Sequence, residues 1–215
     1  LSDGDGRGAL SMQLVDPSKG NVKGEAVVPS VHSSRITSIA MDPIGTAAGH
    51  GGVGGELAIL GSADGGASLW RFMSSHFLPL RPRIRMRGHG GSSIYAVALS
   101  SAINICASIS MERCCIFSIG NGAMVRSFPP PSDSLQMPNL GRSKTTFCDT
   151  PALCISVQGF VVTVCKTTLL MQDGSPLNDI ITLHLFSLEG VSLGSKVLEP
   201  GRGAPNKIFC TPDGT

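Results

Sequence analysis

The sequence predicts an all-β fold assembled from repeated antiparallel sheets, and three observations lead there. Sustained helical periodicity is absent, whereas runs of about five to seven apolar and β-branched residues recur, each closed by a turn. The 27 glycines and 14 prolines punctuate these runs instead of forming one low-complexity tract. One arrangement also occurs twice: a His-containing loop, an apolar strand, a second strand, a Ser-x-acid turn and a third strand.

The expected strands follow in order. Ala9–Val15 is turned back by "DPSKG", and "RITSIAM" (35–41) alternates polar with apolar residues. "ELAIL" (56–60) and "ASLWRF" flank an Asp64-Gly65 turn. Next come "IYAVALS" (94–100), "INICASIS" (103–110), "CCIFSI" (114–119) and "MVRSF" (124–128). Asn121-Gly122 marks a hairpin between the last two, because both residues accept positive φ. "ALCISV" (152–157), "FVVTVC" (160–165), "ITLHLFSL" (181–188) and "VSLGSKVL" (191–198) repeat the scheme, with Glu189-Gly190 joining the last pair. Three segments read as loops: 45–55, 129–149 (rich in Pro and Ser) and 166–179.

Composition sets outer bounds. With 41% hydrophobic residues the chain can bury a core, and only 15% are charged. The net charge of +2 suggests no nucleic-acid partner. No apolar run is as long as a membrane-spanning helix, and "LSDGDGRG" lacks a signal-peptide layout. Seven cysteines occur without a C-x-x-C pair, so no metal site is expected, and buried free thiols in a reducing compartment are the reading. No N-x-S/T sequon is present.

The repeat aligns His32, "RITSIAM", "ELAIL", Ser62, Asp64 and Trp70 with Gly88-His89, "IYAVALS", "ICASI", Ser110, Glu112 and Ser118. Asp64 to Trp70 is six residues, as is Glu112 to Ser118. This resembles the WD repeat of β-propellers, whose blades are four-stranded antiparallel sheets. The resemblance implies that His32, Ser62, Asp64 and Trp70 form a hydrogen-bonded structural tetrad, and that His89, Ser110 and Glu112 form a degraded second one. Arg71 stands where the D of W-D is usual, and no Gly precedes His32.

The runs "ITSIAMD", "GSADGGASLW", "RGHGGSSIYAVALSSAINICASISMERCCIFSIGNGAMVRSF" and "ALCISVQGFVVTVC…HLFSLEGVSL" are similar to the C-terminal propeller of BEACH-domain, neurobeachin-like proteins. On that resemblance the chain is a partial propeller. Residues 1–30 end one blade, blades follow at about 31–87, 88–128 and 150–198, and 206–215 begin another. A BEACH domain is expected N-terminal to it.

Sharper chemical readings meet plainer ones. "GHGGVG" (49–54) satisfies G-x-G-x-x-G, but a strand rather than a helix follows, so no cofactor is expected. "GHGG" at 49–52 and 88–91 resembles a hydrolase oxyanion loop, yet Ser62 lacks the G-x-S-x-G elbow. Arg81, Arg83, Arg85 and Arg87 recur at period two, so a strand places them on one face. They form a candidate patch for an anionic membrane surface or an acidic partner, or else a charged edge that resists strand pairing. His184 is expected to be an ordinary strand residue, and "PPPSDSLQMP" an inter-blade connection.

The functional expectation is a non-catalytic scaffold that binds proteins through propeller loops. By resemblance it acts in vesicle trafficking or autophagy, in the cytoplasm and peripherally on vesicle or endosomal membranes. The alternatives are a WD-repeat adaptor of a ubiquitin ligase or signalling pathway and, more remotely, a Ser/His/Asp hydrolase.

Overall fold

The computed structural model describes residues 10–15, 18–28, 31–41, 56–72, 84–131, 143–147, 152–170, 173, 175–198, 205, 208 and 210. Strands β1 (Leu10–Val15) and β2 (Val22–Val28) pair as a two-stranded sheet. The first four-stranded sheet is β3 (Ile36–Met41), β4 (Glu56–Ser62), β5 (Gly66–Phe72) and β6 (Ile84–Arg87). The second is β7 (Ile94–Ser100), β8 (Ile105–Ser110), β9 (Cys114–Ser118) and β10 (Met124–Phe128). Both are antiparallel meanders in which each strand pairs with its sequence neighbour.

The third sheet departs from this pattern. β13 (Phe160–Leu170) and β14 (Pro176–Ser187) form a long hairpin, followed by β15 (Ser192–Val197). The free edge of β13 takes two short strands end to end, β11 (Ser143–Phe147) and β12 (Leu153–Ile155). Residues 143–147 are therefore a strand within the connection expected over 129–149. Likewise 166–170 and 176–179, expected as part of a loop, belong to the hairpin. The polar residues that suggested a loop line its outer face: Lys166 pairs with Asp179 at 2.8 Å, and Thr168 Oγ1 donates to Asp179 at 2.7 Å. Thr167 and Leu169, between them, are buried. Alternation, not overall polarity, was the signal to read. The loop over 45–55 lies outside the described residues. Of 206–215 only Ile208 and Cys210 are described, neither in a strand.

The three large sheets stack through two apolar layers. Ile59, Leu69 and Met86 of the first meet Ile94, Val97, Cys106 and Phe117 of the second. Ala107, Ile109, Ile116 and Phe128 on the second sheet's other face meet Leu153, Ile155, Val161 and Phe186 of the third. The second sheet is thus covered on both faces, which explains why "ICASI" and "CCIFS" read as continuous apolar runs rather than alternating ones. The first layer is close. A Cβ on Gly61 would sit 2.6 Å from Ile94 Cγ2 and 2.9 Å from Val97 Cγ1, so glycine there sets the sheet separation.

Turn chemistry matches the sequence. Gly65, Gly122 and Gly190 have φ of +77°, +71° and +83°, conformations that glycine adopts at little cost.

Candidate functional site

A polar cluster lies at one end of the first sheet, around His32, Asp64, Ser68 and Trp70. Trp70 Nε1–H donates to Ser68 Oγ at 2.9 Å. Ser68 Oγ lies 2.8 Å from His32 Nε2, and His32 Nδ1 lies 3.3 Å from Asp64 Oδ1. The indole only donates, so Ser68 accepts from it and its own Oγ–H donates to Nε2. His32 is then the Nδ1–H tautomer, donating to Asp64. Asp64 also accepts Gly66 N–H at 2.9 Å, and Ser33 N–H and Oγ–H at 2.8 and 3.1 Å.

The hydroxyl between the histidine and the tryptophan is therefore Ser68 and not Ser62. Ser62 Oγ donates toward the carbonyls of Arg35 (3.1 Å) and Ser34 (3.3 Å) and accepts Asp64 N–H at 3.3 Å. It braces the turn beneath Asp64. The reason is strand alternation: Ser68 and Trp70 are two apart on β5 and share a face, and Ser68 lies directly across from Leu60. The same geometry takes Ser62 out of the Ser/His/Asp reading, because it engages backbone groups rather than the imidazole, while Ser68, which does meet the imidazole, is fully buried and also accepts the indole N–H.

The second sheet builds a parallel arrangement with other residues. His89 Nε2 lies 2.7 Å from Ser108 Oγ and Nδ1 lies 2.9 Å from Ser110 Oγ. Ser110 Oγ–H points at the Arg113 carbonyl, 3.3 Å away, so Ser110 accepts from Nδ1–H and takes the place that Asp64 holds in the first sheet. Ser108 takes the place of Ser68 from the neighbouring strand. Leu60 pairs with Ser68 in one sheet and Ser108 with Cys115 in the other, so the hydroxyl has changed strands across the same ladder position. Glu112 is exposed, and its N–H rather than its carboxylate bonds Ser110 Oγ, at 3.3 Å.

Register also relocates the tryptophan equivalent. The paired residues Gly61 and Ala67 enclose residues 62–66, whereas Ile109 and Cys114 enclose only 110–113. The shorter turn slides the third strand by one residue, which exchanges its faces. Phe117, across from Cys106, then stands where Trp70 stands across from Ala58, and Ser118 is displaced to the next position. Equal sequence spacing could not reveal this; the apolar Phe117 next to Ser118 was the available signal.

Burial pushes the His32 pKa down, and the charge and hydrogen bond of Asp64 do not restore it. Burial raises that of Asp64, but bonds from Gly66 and Ser33 N–H together with His32 outweigh it and hold the carboxyl below its usual range. At neutral pH the contact is a charged acceptor with a neutral donor. Burial, then the Arg113 charge, push His89 down to about 4, against Glu112.

Of the arginine stripe, Arg81 and Arg83 lie outside the described residues. Arg85 and Arg87 are exposed on β6, with Met86 buried between them on the opposite face. Arg85 lies across from Ser68 and Arg87 across from Gly66. With His32, Asp64, Gly90 and Gly91 they line an open concavity of about 460 Å³. His184 is buried and stacks on Phe186, with centroids 6.2 Å apart. Among the described residues no cluster of three or more His, Cys, Asp or Glu side chains is placed to hold a metal.

Ser68→Ala should cost roughly 1–3 kcal/mol, since it orphans an indole N–H and an imidazole nitrogen in a dry site. It should also shift the emission maximum of the single tryptophan. Ser62→Ala should leave that maximum in place. The same emission shift in both variants would return Ser62 to the network.

No family model matches the chain. One solved structure that it resembles is described as "KlHsv2 with loop 6CD replaced by a Gly-Ser linker", at 14% identity and a TM-score of 0.50. The match covers 88% of this chain and 48% of that one, so the chain spans about half the length of that structure. At this identity the likeness concerns the fold alone. Together with the antiparallel sheets of four or five strands stacked face to face, it gives the chain a β-propeller-like fold.

Proposed function

We propose that the chain is part of a non-catalytic propeller scaffold that binds other proteins through its loops. In this reading it is a WD-repeat segment of a BEACH-like protein working in vesicle trafficking or autophagy at cytoplasmic membrane surfaces. The observation that carries the non-catalytic part is the use of the chemically capable side chains. His32, Asp64, His89, Ser108 and Ser110 engage one another or nearby backbone inside the sheets. What stays outward is a charged strand edge, with Arg85 and Arg87 presented side by side.

The anionic-surface element rests on those two arginines, with Arg81 and Arg83 continuing the period in the sequence. Basic residues near an anionic bilayer each strengthen binding several-fold. Arg85→Ala/Arg87→Ala in the full chain should lower co-sedimentation with phosphatidylserine or phosphoinositide vesicles by roughly 10–30-fold. Neutral phosphatidylcholine vesicles should bind neither protein. Unchanged binding by the double variant removes the membrane role and leaves an edge guarded against strand pairing. The trafficking assignment has its own test: the coding sequence upstream of Leu1 should encode a BEACH domain. Its absence there favours a WD-repeat adaptor in another pathway.

A further inference from the structure

We propose that Cys154 and Cys210 are a disulfide-forming pair, a covalent staple between the first edge of the third sheet and the segment that follows β15. Their Sγ atoms lie 2.9 Å apart although 56 positions separate them in sequence. That is within about 1 Å of the bonded sulfur–sulfur length. The approach does not rest on the sulfurs alone. Two residues before each cysteine stand Ala152 and Ile208, and these two belong to one apolar cluster with Val164 and Ile181. Ile208 is thus packed against the sheet, two residues from the thiol that meets Cys154.

The pair differs from the other described cysteines. Cys106, Cys114, Cys115 and Cys165 are buried, whereas Cys154 and Cys210 are half-buried, where a small oxidant can reach them. Cys106 Sγ contacts Met86 Sδ at 3.7 Å, and Cys115 Sγ contacts the Gly88 carbonyl at 3.7 Å. Burial, with Cys210 adding to it, raises the Cys154 pKa, which keeps that thiol protonated at neutral pH and makes closure conditional.

The chemistry is exchange with a low-molecular-weight disulfide such as glutathione disulfide. One cysteine loses its proton, attacks a glutathione sulfur and expels a glutathione thiolate. The second loses its proton, attacks the protein sulfur of the mixed disulfide and expels the other glutathione thiolate. The protein gives up two electrons and two protons, and glutathione disulfide leaves as two glutathione thiols. The product ties a 56-residue separation, long enough for the cross-link to restrict the unfolded chain substantially.

The test incubates the full chain with glutathione disulfide at about pH 8, where exchange is faster. Peptides are then mapped by mass under non-reducing conditions. The expected product is a monomer about 2 Da lighter, with the Cys154 and Cys210 peptides linked, and reductant reverses it. The melting temperature should rise on the order of 5–10 °C. Cys154→Ser and Cys210→Ser should each abolish both link and shift, while melting like the reduced wild type. With the circular dichroism of the fold retained, unlinked peptides, arrest at glutathione adducts, or a disulfide-linked dimer would each overturn the proposal. So would a melting shift that survives in Cys210→Ser.

Discussion

Trp70→Ala is expected to destabilise the full chain by about 3–5 kcal/mol. For a chain of this length that is a fall in melting temperature on the order of 10 °C. Trp70 is 0% exposed and packs with Leu60, Val31 and Ile36. Truncation opens a cavity between these groups and removes the N–H that Ser68 accepts. Trp70→Phe retains most of the apolar ring and loses the donor, so it should cost less than half as much. Urea unfolding followed by circular dichroism separates the two. Equal losses would mean that the hydrogen bond, and not the packing, is what the indole supplies; a loss below about 1 kcal/mol for Ala would mean neither.

Mild acid should act on the second sheet with comparable size. His89 is 1% exposed, and its folded pKa of about 4 lies below its ordinary 6.5. Between those values the unfolded chain binds a proton that the folded chain does not. Stability is therefore full above about pH 6.5 and falls as pH drops toward 4, by roughly 3 kcal/mol at the lower end. Asp64 adds to the loss further down. Its lowered folded pKa contributes stability above its ordinary 3.8, and this is lost as pH falls through the folded value. Urea midpoints at pH 7, 5 and 4 measure the slope. His89→Gln should lessen it between 6.5 and 4, because that buried base is gone, leaving the part due to His32, which burial also holds below its ordinary value. If that variant keeps the wild-type slope, the acid sensitivity resides elsewhere.

How much of this was legible in advance varies with the range of the interaction. Turns were legible because their chemistry is local: Asp64-Gly65, Asn121-Gly122 and Glu189-Gly190 all carry a glycine with positive φ where the sequence places the turn. The strands over 31–128 were legible because apolar runs between such turns have few other solutions. The strands at 160–165 and 181–187 were legible too, but their extension over 166–170 and 176–179 was not, since its outer face carries Lys166, Thr168 and Asp179 and resembles a loop until their pairing across the strands is seen.

The network around His32 divides in the same way. His32, Asp64 and Trp70 were placed together by the resemblance to the WD repeat. The hydroxyl among them could not, because Ser62 and Ser68 are both serines near the same turn and differ only in which way the strand turns them. In the second copy, spacing nominated Glu112 and Ser118, and a turn shorter by one residue put Ser110 and Phe117 in their places.

The amino-acid sequence alone determined that this is a chain of short antiparallel strands with glycine turns, because backbone preference and apolar patterning act within a few residues. Only the tertiary structure decided which face each side chain takes, which serine meets the histidine, and that Cys154 reaches Cys210. Those outcomes depend on strand register and on packing between segments far apart in sequence. A shift of one residue in register leaves local patterning almost unchanged while it reverses every contact.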